Sequence, residues 1–246
     1  MLRFRGAAIA IALAALVSQR ADAQQGRRFE NAWYWGVRGG QMVYSTPGTA
    51  GNVSQGFVTP WAYTNAADQN KMAPVVGLEW LITRNRGGLY LSYAKGFLSK
   101  DLDFARANFS DTTVARAHVG GMRRIDIAGM MFPMVERYAQ PYFGLGAAIL
   151  QVGDLNPVLR LNADGSAPAG AGAQMDTLNA ELLNRKAAVS PLVVLGLQAR
   201  LKPFSVFVQA SGVALPDEFI LQRTSRYVMS YDIGIRYNVG SSIERF

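Results

Sequence analysis

The residues able to do chemistry are few. There is no cysteine, and one histidine, His118, sits in Arg116-Ala117-His118-Val119-Gly120. Without thiols there is no disulfide framework, thiolate metal site or cysteine nucleophile. A lone histidine with no ligand cluster around it does not make a metal site, and it leaves few routes to acid–base or nucleophilic catalysis. No enzyme activity, metal or cofactor is expected, although a triad is defined by geometry and not by order in the chain. What is plentiful is charge of both signs set singly into small or apolar runs: Arg38, Glu79, Arg124, Asp126, Arg200, Asp232 and Arg236. Arginines and carboxylates brought into one confined space form charge-assisted, hydrogen-bonded networks. Such a network acts as a structural plug or, alternatively, lines a narrow gated ion path.

The elements carrying those charges alternate. In the last regular stretch, Tyr231, Ile233, Ile235, Tyr237 and Val239 fall on one face, with Asp232, Gly234, Arg236 and Asn238 on the other. Period two is the signature of a β-strand with different surroundings on its two sides. The same pattern recurs in seven earlier stretches: Ala32 to Ser45, Met72 to Thr83, Gly88 to Phe97, Gly120 to Met134, Pro141 to Val152, Ala188 to Leu201 and Phe204 to Gly212. Their apolar sets include Trp33 and Trp35, Val76 to Ile82 in alternation, Leu89 to Tyr93, Ile125 and Ile127, Phe143 to Ile149, Leu195 to Leu201, and Phe204 to Val208. The connections alternate long and short. Arg84-Asn85-Arg86-Gly87, Glu136 to Gln140 and Lys202-Pro203 are tight turns, and Asn and Gly tolerate the positive φ that such turns need. Thr46 to Asn70, Leu98 to Val119, Gly153 to Lys186 and Val213 to Arg226 are long loops. Within the third, Met175, Leu178 and Leu182 recur at helical spacing and predict a short surface helix. The loop aromatics Phe57, Trp61 and Tyr63 are expected to pack loop on loop.

The balance of the 246 residues fits export rather than a water-facing surface. Charged residues are 17%, half the residues are hydrophobic, and Gly is abundant at 25. Residues 1–23 read as a secretory signal peptide: Arg3 and Arg5, an apolar run Gly6 to Val17, then Ala21-Asp22-Ala23 as a small-x-small cleavage site. The apolar run is too short to span a bilayer as a helix. Cleavage takes the formal charge from +8 to +6, because three arginines and one aspartate leave with the segment. Residues 24–31 are a short polar leader. For a basic exported chain the expected partner is anionic lipid or lipopolysaccharide, not nucleic acid.

Asp232, Gly234, Tyr237 and Val239, with an aromatic Phe246 at the end, resemble the closing-strand signal of outer-membrane β-barrels. With the eight alternating stretches and the long–short rhythm, residues 32–246 resemble the eight-stranded outer-membrane barrels, the OmpA, OmpX and OmpW group. The resemblance implies an all-β, eight-stranded antiparallel up-and-down transmembrane β-barrel in the outer membrane of a Gram-negative-type bacterium. It implies short periplasmic turns, long extracellular loops, and delivery by the barrel-assembly machinery. A peptidoglycan-binding domain is not expected after the last strand, and a monomer is expected. Trp33, Trp35, Trp80, Phe143, Phe204 and Tyr237 then share the periplasmic ends of five strands as an aromatic girdle. Lys95 and Arg123 share outward parity near the opposite rim, where a long basic side chain can snorkel to lipid A phosphates. The resemblance implies a structural or interaction role through the loops around a mostly filled interior, with a narrow channel for small or hydrophobic solutes as the alternative. Barrel enzymes that deacylate lipid A carry His-x-Ser on a strand. Here position 120 is Gly, which makes that third role the least expected.

Overall fold

The computed structural model describes residues 32–46, 49–50, 53–54, 61–63, 71–106, 115–134, 138–153, 155–159, 171–201, 203–216, 219–221 and 226–241. The expected signal segment 1–23, the leader 24–31, Phe57 and Phe246 lie outside these residues. The strands in chain order are β1 (Ala32–Tyr44), β2 (Thr49–Ala50), β3 (Val53–Ser54), β4 (Trp61–Tyr63), β5 (Lys71–Arg84), β6 (Gly87–Gly96), β7 (Lys100–Arg106) and β8 (Ala115–Val119). They continue as β9 (Gly121–Met131), β10 (Ala139–Gly153), β11 (Pro157–Leu159), helix α1 (Ala171–Arg185), β12 (Ala187–Leu201), β13 (Phe204–Ala214) and β14 (Tyr227–Ser241).

Eight of these strands close an antiparallel barrel in the order β1-β14-β13-β12-β10-β9-β6-β5, with β5 pairing back onto β1. Closure leaves no open edge in the wall. Between β5 and β6 the turn is two residues long, and Asn85 takes φ 53°, the left-handed conformation that Asn adopts at low cost. The alternation in β14 is realised directly: Tyr231, Ile233, Ile235 and Tyr237 are exposed on the outside, while Asp232, Gly234 and Arg236 are buried inside. Every other barrel strand follows the same parity.

Through its middle height the outer wall is apolar. Trp35, Leu78, Ile127, Leu145, Val193 and Ile233 are all exposed, Leu145 to 62%. A water-soluble barrel would turn this face inward, because large contiguous apolar patches on soluble monomers are limited to a few hundred Å². The wall is therefore apolar on the outside, with charged and polar side chains set among apolar ones within, the arrangement that lipid selects.

The long connections are more ordered than expected. Leu98 to Val119 is not simply a loop: it contains the hairpin β7–β8, which joins β4 and β11 in a four-stranded sheet, order β11-β8-β7-β4, beyond the barrel wall. Its inner face buries Leu102, Phe104, Ala115, Ala117 and Val119. Helix α1 begins four residues earlier than the apolar spacing required, and it buries Leu178 and Leu182. With Leu215 and the segment Phe219, Ile220 and Leu221, these residues belong to one apolar cluster that is continuous with the barrel interior. The mouth on the long-loop side thus carries its own packed layer.

Candidate functional site

The inward charges converge from strands that are far apart in sequence. Arg38 on β1 donates from Nη1 to Asp232 Oδ2 at 2.7 Å and from Nη2 to Asp126 Oδ2 at 3.2 Å and Ser92 Oγ at 3.0 Å. Asp126 also holds Arg124, whose Nε lies 2.9 Å from Oδ1, and Arg124 Nη2 donates to Ser211 Oγ at 2.9 Å. Two arginines and two aspartates therefore balance each other in one cluster, all of them buried.

A second centre is built on Arg236 of β14. Its Nε donates a short hydrogen bond to Glu79 Oε1, and its Nη1 donates to Gln198 Oε1 at 2.7 Å. The guanidinium lies 4.0 Å from the Phe207 ring centroid and 5.2 Å from that of Tyr142, so it is stacked as well as paired. Tyr90 Oη donates to the other carboxylate oxygen of Glu79 at 3.3 Å and accepts from Gln209 Nε2 at 3.3 Å.

Three glycines make room for this centre. A Cβ at Gly36 would lie 2.8 Å from Glu79 Cγ, while one at Gly196 or Gly234 would run into the Tyr142 or Phe207 ring respectively. The glycines in these alternating runs are cut-outs into which the rings and the Glu79–Arg236 pair are set. Gly234→Val would also press on the Val37 carbonyl. It is expected to destabilise the barrel by about 1–3 kcal/mol, the usual cost of overpacking. A urea unfolding midpoint equal to that of the unsubstituted protein would show that the ring platform is looser than described.

Arg200, grouped with these charges from the sequence, is half-buried on β12 next to the short turn to β13. The aromatics expected at the short-turn end are all outward. Phe204, Tyr237, Trp35 and Trp80 form one register row across β13, β14, β1 and β5. Trp80 stacks on Trp35 at 5.9 Å and meets Trp33 edge-on at 5.5 Å, and Phe204 contacts Tyr237 at 5.4 Å. The Trp80 indole N–H finds no acceptor among the described residues. Phe143 is outward on β10. Lys95 and Arg123 belong to the wall strands β6 and β9, exposed and directly opposite one another in register.

His118 lies outside the barrel, on the exposed face of β8. Its Nδ1 is 2.8 Å from Asp101 Oδ1 on β7, and Arg116 beside it pairs with Asp103 at 2.6 Å. That hydrogen bond to Asp103 raises the Arg116 pKa above its ordinary value. A histidine oriented by a carboxylate is half of a catalytic arrangement, but the described residues lining the adjoining depression, Asp101, Arg116, His118, Asn156, Val158 and Leu159, supply no hydroxyl nucleophile. Nothing in the spacing of His118 and Asp101 along the chain marks them as partners. The available signal is the alternation of Asp101 and Asp103 against Leu102 and Phe104, which reads as a strand once the charges are set aside.

No protein-family model matches the chain, and no curated protein matches it. Among solved structures it is similar to the outer membrane protein OprG from Pseudomonas aeruginosa, at 15% identity and a TM-score of 0.42, covering 86% of this chain and 98% of that one. It is also similar to Neisserial surface protein A, at 8% identity and a TM-score of 0.44, covering 83% and 96% of the two chains. A third is Ail, the attachment invasion locus protein of Yersinia pestis, at 12% identity and 0.38, covering 87% and 99%. No role or ligand passes from those proteins to this chain.

Proposed function

We propose that the protein is an outer-membrane barrel that does not conduct, and that it acts through the folded layer it holds outside the membrane. The signal-peptide pattern expected of residues 1–23 and the exposed apolar side chains of the outer wall support the location. The aromatic row at the short-turn end serves as the interfacial girdle, its amphipathic rings set at headgroup height.

The observation that carries the reading is the filled interior. Both charge centres are buried, their guanidinium groups are tied to carboxylates on other strands, and the apolar cluster of the barrel interior extends into the layer at the long-loop mouth. An ion path needs groups that can exchange a partner for a passing ion. Here the partners are already committed to one another. The exposed outer sheet, with Asp101, Asp103, Arg116 and His118 on its face, is the surface offered to the surroundings.

Planar-bilayer recording of the refolded protein tests this directly. No current steps are expected, with insertion established separately by the gel shift between folded and heat-denatured forms. Discrete, reproducible steps would overturn the sealed reading in favour of a narrow channel lined by Arg38, Asp126 and Asp232.

A further inference from the structure

The long-loop rim of the wall carries a row of polar and basic groups that the interior networks do not use. Lys95, Arg123 and Gln151 are register partners across β6, β9 and β10, all pointing outward. The row continues to Ala187 on β12, and Lys186 immediately precedes it. Arg123, Gln151 and Lys186 line a notch of about 280 Å³ between the wall and helix α1, flanked by Leu155, Leu182 and Leu183. Neither Arg123 nor Lys186 has an ion-pair or hydrogen-bond partner for its side chain among the described residues. Like charges set directly opposite on neighbouring strands are destabilising. Lys95 and Arg123 are so placed, and Lys95 is further held at the rim by its position 5.4 Å over the Phe97 ring.

The height of the row is informative. The next outward row below it is Tyr93, Ile125, Ile149 and Val189, all exposed and apolar. From Phe143 at the opposite end to Gln151 the strand rises roughly 27 Å, or about 21 Å along the axis at a usual tilt. The apolar band of a membrane barrel is about 25 Å tall. The basic row therefore lies where acyl chains end and headgroups begin, on the side of the long connections.

Resting on the outer-membrane reading above, we infer that this notch is a binding site for a phosphate of lipid A in the outer leaflet. The phosphate lies between Arg123 and Lys186 with Gln151 donating to it. Lys95 adds its field from the neighbouring strand, and the acyl chains run down the Ile125, Ile149 and Val189 wall. A phosphomonoester carries close to two negative charges and three strong acceptor oxygens. That matches a notch with two cations and an amide better than the single charge of a phosphodiester lipid does.

The test uses the refolded full-length mature protein in phosphatidylcholine vesicles, with lipid A, dephosphorylated lipid A or phosphatidylglycerol as the titrated component and the urea unfolding midpoint as the readout. Lipid A is expected to raise the midpoint saturably, and the other two to do so weakly or not at all. Arg123→Gln with Lys186→Gln is expected to weaken the apparent lipid A affinity about tenfold or more, whereas Arg123→Lys retains most of it. Equal responses to lipid A and its dephosphorylated form, a phosphatidylglycerol effect as large as that of lipid A, or a double variant that binds like the parent would each overturn the site while leaving the membrane reading intact. A chain that inserts into none of these bilayers overturns the membrane reading and the site with it.

Discussion

Replacing Glu79 with Ala is expected to cost the folded barrel about 3–5 kcal/mol, because it leaves the Arg236 guanidinium buried without its carboxylate. Among the described residues Glu79 is the only carboxylate that pairs with Arg236, which is 1% exposed. Gln198 and the Phe207 and Tyr142 rings remain in place, but a hydrogen bond and two ring faces do not neutralise a charge. Two comparisons make the expectation specific. The double variant Glu79→Leu with Arg236→Met removes both charges and is expected to recover most of the loss, since apolar replacement of an entire buried pair is often neutral or better. Asp232→Asn is expected to cost less than Glu79→Ala, because Arg38 keeps Asp126 as a second carboxylate. Urea midpoints of the refolded protein in micelles check all three. A Glu79→Ala loss below about 1 kcal/mol would mean that water reaches Arg236 and that the interior is not sealed.

That contrast between the two centres is also where the sequence stops being readable. Which side chains point inward follows from parity alone, so Arg38, Glu79, Arg124, Asp126, Asp232 and Arg236 are recognisable as a set from their alternating neighbours. Their division into one balanced cluster and one isolated pair is set by how far each strand is staggered when the barrel closes. Glu79 and Arg236 meet across 157 positions of chain, and nothing local to either residue marks the other as its partner. The outer sheet was hidden for a different reason. Lys100–Arg106 and Ala115–Val119 do alternate, but the density of Asp, Arg and Lys on one face resembles a solvated loop. Only the apolar layer beneath, buried against Leu178, Leu182 and the segment 219–221, turns that alternation into a strand signal.

Ile127→Arg is expected to destabilise the bilayer-embedded protein by about 2–4 kcal/mol, the depth-dependent cost of a cation on the lipid face near mid-membrane. Ile127 is exposed on β9, with Leu91 and Ala147 as its register partners on either side, four residues along the strand from Arg123. The distance matters: an arginine at 123 can extend to the headgroups, whereas one at 127 is roughly 13 Å further along the strand and only partly able to do so. Ile149→Arg, one outward row below Gln151, is therefore expected to cost less, about 0–1 kcal/mol by the same depth scale. The ordering Ile127 above Ile149 separates a lipid-facing wall from a protein-covered one, because a second protein surface would penalise both positions by local packing and without regard to height. Repeating the measurement in small, deformable micelles is expected to compress the difference, as detergent and water reach mid-height more readily than they do in a bilayer. Equal costs at the two positions in bilayers would show that the apolar belt is not spanning lipid, and the placement of the basic row at the headgroup boundary would fail for the same reason.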